Sequence, residues 1–384
     1  MNPIFANLPT TIFEEMSGLA RETGAINLGQ GFPDGRGPED VLAAAARALL
    51  EESNQYPPMA GLPALRQAVA AHYGRHQGIA VDWAGEVTVT SGATEAIASA
   101  ILGVVRPGDE VVLFQPLYDA YLPLVRQAGG LPRLVTLRPP DFRIDPAELA
   151  AAMSDRTCAV IVNSPLNPSA TMFGDEDLAA IAAACIRHDA IAICDEVWEH
   201  VVFDGRVHRP LMTLPGMRDR TVKIGSAGKI FALTGWKVGW TIAAPALTAG
   251  IARAHQFLTF TTPPNLQSGA AYGLAKDDAY FAGMKAELAR SRDRLTAALT
   301  AEGYAVLPSA GTYFLSVDLP GSGIDLADAD FARRAVREAG VASIPISALY
   351  EEDKVTSLLR LCFAKRDDVL DQAAERLGRF RRGL

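Results

Sequence analysis

The chain has 384 residues, of which 49% are hydrophobic and 21% charged, an ordinary globular composition with enough material for a large core in two domains. Its formal net charge of −8 argues against nucleic acid as a partner, because phosphate neutralisation by Lys and Arg supplies most of such affinity. Cysteines fall at 158, 185, 194 and 362 with no Cys-x-x-Cys pair, which reads as free thiols in a reducing compartment. The N-terminal segment lacks the basic start and apolar core of a signal peptide. The longest strongly apolar stretch, Val41 to Leu50, is too short to span a bilayer and contains Arg47, so a cytoplasmic soluble protein is expected.

In chain order, short β-branched runs alternate with Ala- and Leu-rich segments. Strands are expected at Glu86–Thr90, Glu110–Phe114, Thr157–Asn163, Ala190–Asp195 and Thr221–Gly225. Helices are expected at Ala93–Val105 and Asp175–His188, the second opening with an acidic turn after Gly174. This alternation predicts an α/β fold with a mainly parallel sheet covered on both faces. From about Ala279 the character changes to a charged helix (Tyr280–Glu302), a helix at Ala329–Ala339, an apolar strand around Leu359–Phe363 and a last helix. These segments predict a smaller α+β domain, residues 279–384 completed by 1–45, beside a large domain over 46–278. Arg379, Arg381 and Arg382 read as the solvated end of the last helix, where cations suit the dipole.

Unusual polar residues follow directly after the apolar runs. Asn163 to Asn167 follow one strand, Asp195 a second, Ser226 to Lys229 a third, and Ser91-Gly92 a fourth. Ligands of open α/β sheets bind beyond the carboxyl ends of the strands, so four strands deliver polar chemistry to one rim. Ser91 to Ala96 open a helix with small residues, which suits a phosphate or an ordinary N-cap equally well. Lys229 sits among small residues and ahead of Ile230-Phe-Ala-Leu233. Apolar crowding lowers a lysine pKa, as imine chemistry requires; the alternative is a surface lysine in a loop. Asp195-Glu196 suits a metal pair or an acid–base pair, without a second histidine at ligand spacing. His72 and His76 read as a polar helix face. Arg360, inside an apolar strand, needs an anionic partner, either a structural carboxylate or a substrate carboxylate held by two parallel bonds.

Four stretches together resemble the class I/II aminotransferases of fold type I, which are pyridoxal-phosphate enzymes. They are Asn27-Leu-Gly-Gln-Gly-Phe-Pro-Asp34, Asn163-Ser-Pro-Leu-Asn-Pro168, Cys194-Asp-Glu-Val197 and Ser226-Ala-Gly-Lys-Ile-Phe-Ala-Leu-Thr-Gly-Trp-Lys-Val-Gly-Trp240. The resemblance runs from about Phe13 to Phe363 and is nearest to the branch of kynurenine, glutamine and methionine aminotransferases. It implies a mainly parallel seven-stranded sheet and assigns roles residue by residue. Lys229 would carry the cofactor as a Schiff base and move the Cα proton, and Asp195 would pair with the pyridine nitrogen. Asn167 would bond the ring's phenolic oxygen and help bind substrate, and Tyr118 would stack on the ring. Ala93, Thr94, Ser226 and Lys237 would hold the phosphate, with Tyr56 reaching it from the other subunit of a homodimer. Arg360 would clamp the substrate α-carboxylate, helped by the backbone at Gly31.

Three positions depart from the family pattern. Trp198 stands where Tyr is usual, and an indole N–H donates to the phenolic oxygen but cannot accept or ionise. Ser169-Ala170 replace the usual Thr-Gly, so the turn after Pro168 is expected to differ. Phe13 replaces a frequent pocket tryptophan, which bears on the preferred amino acid. The reaction implied is amino-group exchange between a neutral amino acid (sulfur-containing, aromatic or glutamine-like) and a 2-oxo acid in two stages. A rival on the same fold is a β-eliminating C–S lyase. A pyridoxal-phosphate sensor joined to a DNA-binding module needs an added N-terminal helix-turn-helix, and here the resemblance begins within about the first dozen residues.

Overall fold

The computed structural model describes residues 2–6 and 8–384, so Met1 and Asn7 of the N-terminal segment lie outside the described residues. The strands, in chain order, are β1 (Ile26–Asn27), β2 (Val87–Ser91), β3 (Glu110–Gln115), β4 (Leu131–Thr136), β5 (Thr157–Asn163), β6 (Ile191–Asp195) and β7 (Thr221–Ser226). They continue with β8 (Val238–Ile242), β9 (Ala305–Val306), β10 (Phe314–Asp318), β11 (Val341–Ala342), β12 (Ile344–Pro345) and β13 (Leu358–Cys362).

Seven strands form one sheet in the order β2-β8-β7-β6-β5-β3-β4, with β8 antiparallel to both its neighbours and the rest parallel to one another. Side chains of a strand alternate between faces, and the two faces feed different cores. Ala159 and Ile161 of β5 join the layer under helix Gly92–Val104, whereas Val160 and Val162 join the layer under helix Asp175–Arg187. Each helix answers with one stripe: Ala96, Ile97, Ala100 and Ile101 on the first, Leu178, Ile181, Ala182 and Cys185 on the second. Full burial of a Val, Leu or Ile is worth about 1.5–3 kcal/mol, so these stripes dominate the stability of both layers.

A sequence reading finds five of these strands and misses β4 and β8. β4 begins Leu131-Pro132 and lies at the sheet edge, where a proline costs no interior ladder bond. β8 follows β7 after only a short helical excursion, so its apolar residues read as part of the same motif. The expected helix Ala329–Ala339 is an α-helix over Asp328–Arg334 that widens to π geometry over Ala335–Ala339.

The second sheet is antiparallel, β12-β13-β10-β9, and sets Arg360 of β13 opposite Ser316 and Ile344. The N-terminal segment is tied to this part of the chain by backbone pairing. β1 pairs parallel with β11, and the Cys362 N–H donates to Leu28 O at 2.7 Å. Helix Asp367–Arg382 ends in the predicted basic turn, with Arg382 paired to Glu302. No helix among the described residues is long and apolar enough to cross a membrane.

Candidate active site

The carboxyl ends of β2, β5, β6 and β7 lie along one edge of the sheet, as the parallel registers of β5, β6 and β7 and the antiparallel β8 between β7 and β2 require. Because β8 runs the other way, it starts at that same edge, and Lys237 just before it arrives there too. Two glycines make the junction tight. A Cβ on Gly239 would sit 2.8 Å from the Gly92 carbonyl carbon, and one on Gly92, at φ +73°, would sit 3.3 Å from Lys237 Cε. The lysine therefore stands at the N-terminus of helix Gly92–Val104, whose first-turn N–H groups have no intrahelical acceptor. A cation beside free N–H donors is a site for a phosphate.

A cavity of about 450 Å³ opens at this edge. Its walls bring together Phe13, Gly31, Ala93, Thr94, Tyr118, Asn167, Asp195, Trp198, Lys229 and Arg360, from elements spread over most of the chain. Ser226 and Lys237 flank the cavity without lining it; Ser226 closes β7 opposite Gly239, directly before the turn that carries Lys229. Tyr56 lies apart, 82% exposed, with its ring edge-on to Phe260 at 5.5 Å.

Asp195 is buried at the end of β6. Its Oδ2 accepts from the Tyr121 hydroxyl at 2.6 Å, and its Oδ1 is buried with no partner among the described residues. Burial pushes this carboxyl above its ordinary range, opposed by the Tyr121 hydroxyl and the Val197 N–H. An unpaired buried carboxylate oxygen is costly unless a donor or cation meets it.

Lys229 Nζ hydrogen-bonds the Tyr313 hydroxyl at 3.2 Å and the Gly31 carbonyl at 3.4 Å, and it lies 4.7 Å from the centre of the Trp198 ring. Burial draws its pKa down to about 8; the Asp195 carboxylate pulls upward and the Arg360 guanidinium pushes further down. At that value about a tenth of the amine is a free nucleophile at pH 7, far more than for an ordinary lysine. Lys229 is therefore no loop lysine in solvent.

Arg360 is 2% exposed and has no carboxylate partner among the described residues. Its Nη1 donates to Asn167 Oδ1 at 2.7 Å, its Nη2 donates to Gly29 O at 2.6 Å, and its buried Nε has no partner. Its guanidinium stacks on Phe314 at 4.0 Å and faces Phe13 at 5.0 Å. Burial lowers its pKa to about 10, which still leaves it charged. Of the two partners the sequence allowed, the structural carboxylate is absent among the described residues. Asn167 spends its oxygen on Arg360, and its amide nitrogen remains a donor.

The departures from the family pattern have physical consequences. Trp198 offers its ring face to Lys229 and stands edge-on to Tyr313 at 4.3 Å. Ala170 adopts φ +63° where the family has glycine, at a cost of about 1–2 kcal/mol. The turn is held by the Ala170 N–H, which donates to Leu166 O, and by its carbonyl, which accepts from Ala310 and Gly311. The Gly31 carbonyl accepts from Tyr313 at 2.6 Å, so only its N–H is left to meet an anion.

Two other sequence expectations need correction. His72 is not on a solvated face: it is 1% exposed, with Nε2 2.7 Å from His200 Nε2, and burial lowers its pKa to about 3. Glu196 points away from Asp195, to the opposite side of β6. There it meets Lys223 of β7, with Glu199 and His208 in the same buried group. Sequence reasoning overlooked Lys223, Tyr121 and Tyr313, although Tyr121 lies only three residues beyond Tyr118.

An amine of lowered pKa, a buried carboxylate and an arginine without a carboxylate partner among the described residues thus share one cavity. The sequence pattern of the family Aminotransferase class I and II matches residues 23–377, and the chain belongs to that family. It is 44% identical to the probable N-succinyldiaminopimelate aminotransferase of Mycobacterium tuberculosis, over 96% of this chain and 95% of that one. It is 42% identical to the methionine aminotransferase of Escherichia coli, over 96% of each chain. The solved structure of the N-succinyldiaminopimelate aminotransferase from Mycobacterium tuberculosis superposes with a TM-score of 0.95, covering 98% of this chain and 99% of that chain. The chain is thus a pyridoxal-phosphate-dependent aminotransferase of fold type I.

Proposed function

We propose that this aminotransferase exchanges the amino group of a neutral amino acid with a 2-oxo acid, and that each cavity residue has one task in that exchange. The observation that carries the reading is Arg360: a buried guanidinium without a carboxylate, in the same cavity as the Lys229 amine.

The residues present fit the cofactor. The unpaired Oδ1 of Asp195 suits a protonated pyridine nitrogen, and Lys237 with the N–H groups of Ala93 and Thr94 suits its phosphate, helped by Ser226. Tyr118 supplies an aromatic wall, and the amide nitrogen of Asn167, with the indole N–H of Trp198, supplies donors for the ring oxygen. Bound there, pyridoxal phosphate supplies a cationic ring that accepts the electron pair left when the Cα–H bond breaks. Asp195 keeps the ring nitrogen protonated. Lys229 Nζ takes the Cα proton. Arg360 holds the α-carboxylate and so sets which Cα bond faces the ring, with the Gly31 N–H alongside.

The donor class follows from the other walls. Phe13, Phe32, Ile97 and Phe314 are apolar, Glu14 and Asp119 are acidic, and among the described residues the only cations lining the cavity are Lys229 and Arg360. A side-chain carboxylate would find repulsion and no second cation, whereas sulfur-containing, aromatic or glutamine-like side chains meet suitable walls. Elimination at a C–S bond is not favoured, since the relatives reported above are aminotransferases.

The reading extends to assembly and organisation. Exposed Tyr56 and Phe260, ring against ring, offer apolar surface that a homodimer would cover, with Tyr56 reaching the other subunit's phosphate site. Residues 46–278 would act as one lobe, and 1–45 with 279–384 as a second that holds Arg360. The location proposed is cytoplasmic.

Arg360→Lys tests the reading. Lysine keeps the charge but loses the two-pronged geometry, so kcat/KM for the amino acid should fall about 10- to 150-fold, the worth of one charge-assisted hydrogen bond. The same substitution should leave turnover of the corresponding amine without a carboxylate within about threefold. An equal loss for both substrates would contradict the carboxylate assignment.

A further inference from the structure

The catalytic lysine has a neighbour that neither the family pattern nor the departures above account for. Tyr313 stands one residue before β10 and is 1% exposed. Its hydroxyl carries a single proton, and that proton goes to the Gly31 carbonyl at 2.6 Å. The phenolic oxygen is then left as an acceptor, and the amine it faces is Lys229, 3.2 Å away. Burial holds the phenol far above its ordinary pKa, so it stays neutral and cannot take the proton itself. Trp198, the other aromatic against Lys229, has no acceptor to offer.

A neutral amine has two N–H bonds and one lone pair. At Lys229 the two N–H directions are taken by Tyr313 and by Gly31 O at 3.4 Å, so the lone pair is the part left over for a proton. The tyrosine is itself fixed. Trp198 packs edge-on at 4.3 Å, Phe314 at 5.1 Å, and the Tyr313 carbonyl accepts from Phe363 N–H at 3.0 Å.

We propose that Tyr313 is a positioning residue for Lys229: with the Gly31 carbonyl it holds the free amine so that its lone pair meets the Cα proton of the substrate. This rests on the reading of Lys229 as the proton carrier. Gly31 belongs to the N-terminal segment, so one hydroxyl joins that segment, the turn after β7 and the start of β10 at the reacting amine.

The test is Tyr313→Phe, which removes one oxygen and keeps the ring. In the cofactor-loaded enzyme the variant should keep its covalently held cofactor and a KM within about threefold of the parent. Its rate of amino-group loss from substrate in a single turnover should fall about 10- to 100-fold, the cost of a misplaced reacting group. A Cα-deuterated amino acid should then show a larger primary isotope effect than in the parent, because proton transfer has become the slow step. In the cofactor-free protein, labelling of Lys229 as a function of pH should give a midpoint below that of the parent, since the ammonium has lost an acceptor. An unchanged rate, isotope effect and labelling midpoint would overturn the proposal. So would a defect confined to KM, to cofactor retention or to thermal stability. Failure of the Lys229 reading shows separately, as a Lys229 variant that still exchanges amino groups.

Discussion

Replacing Lys229 by methionine is expected to slow amino-group exchange by about 10⁴-fold, the upper end of what a positioned acid–base group supplies. The same change should abolish covalent attachment of the cofactor, seen as loss of its visible band. Stability should move the other way. The amine titrates at about 8 in the folded protein and at its ordinary 10.5 in the unfolded chain, so the unfolded state binds more protons between those values. Folding stability therefore gains from this group as pH rises from about 8 to 10.5, and below pH 8 the buried ammonium is a standing cost. Methionine removes that cost while keeping an unbranched apolar stem. The cofactor-free variant should melt no lower than the parent at pH 7, which separates loss of chemistry from loss of fold. A parallel expectation concerns the parent alone: the rate at which it takes up the cofactor should rise about tenfold per pH unit below 8 and level off above it. A melting temperature several degrees lower in the variant would mean that Lys229 is structural.

The second large effect lies behind the sheet, at Lys223. Its ammonium is 0% exposed and is bonded to both Glu196 and Glu199, which are themselves buried. Burial pushes the Glu199 carboxyl up, but the Lys223 charge, with His200 and His208, outweighs it and leaves the group below its ordinary range. For Lys223, burial pulls the pKa down and the two carboxylates more than reverse it. Lys223→Met would strand two carboxylates in the core and is expected to cost about 3–5 kcal/mol. The sign of the pH dependence follows from both shifts. The depressed carboxyl contributes stability above its ordinary 4.5, lost as pH falls below that value. The raised ammonium contributes stability below its ordinary 10.5, lost above it. The gap between parent and variant, measured by urea unfolding, should narrow below about pH 4, and it should widen above pH 5 as the two carboxyls, raised by burial once Lys223 is gone, are forced to ionise in the variant. A gap under 1 kcal/mol at pH 7 would mean that water reaches this cluster.

This buried cluster marks the limit of sequence reading. Lys229, Asp195, Asn167 and Arg360 are legible because each stands at a strand end or inside an apolar strand, where a polar side chain is out of place unless it has work to do. The position alone raises the question, and the family pattern proposes the answer. Lys223 also interrupts an apolar strand. Its partners, however, come from the turn after β6, on the face opposite Asp195, and no local spacing shows which way Glu196 points. Tyr121 and Tyr313 are silent for a similar reason. A tyrosine among apolar residues reads as core, and its hydroxyl acquires meaning only from Asp195, 74 residues away, or Lys229, 84 residues away. Among the strands, β5 is read to the residue because its run is continuous and bounded by turn residues. β4 is missed because its proline argues against a strand, and only its edge position makes that proline harmless. His72 misleads in the opposite sense. Spacing along a helix gives the face but not what covers it, and here His200 and Phe281 do.

On the proposed function, the cavity moves an amino group from a neutral amino acid and does not expel one. The most direct measurement mixes cofactor-loaded protein with methionine, glutamine or an aromatic amino acid in the absence of any 2-oxo acid, following the visible band, the 2-oxo acid formed and ammonia. One equivalent of 2-oxo acid per site is expected, with loss of the band in step with it and no ammonia. Ammonia released continuously, turnover after turnover, would contradict it and assign the same site to elimination.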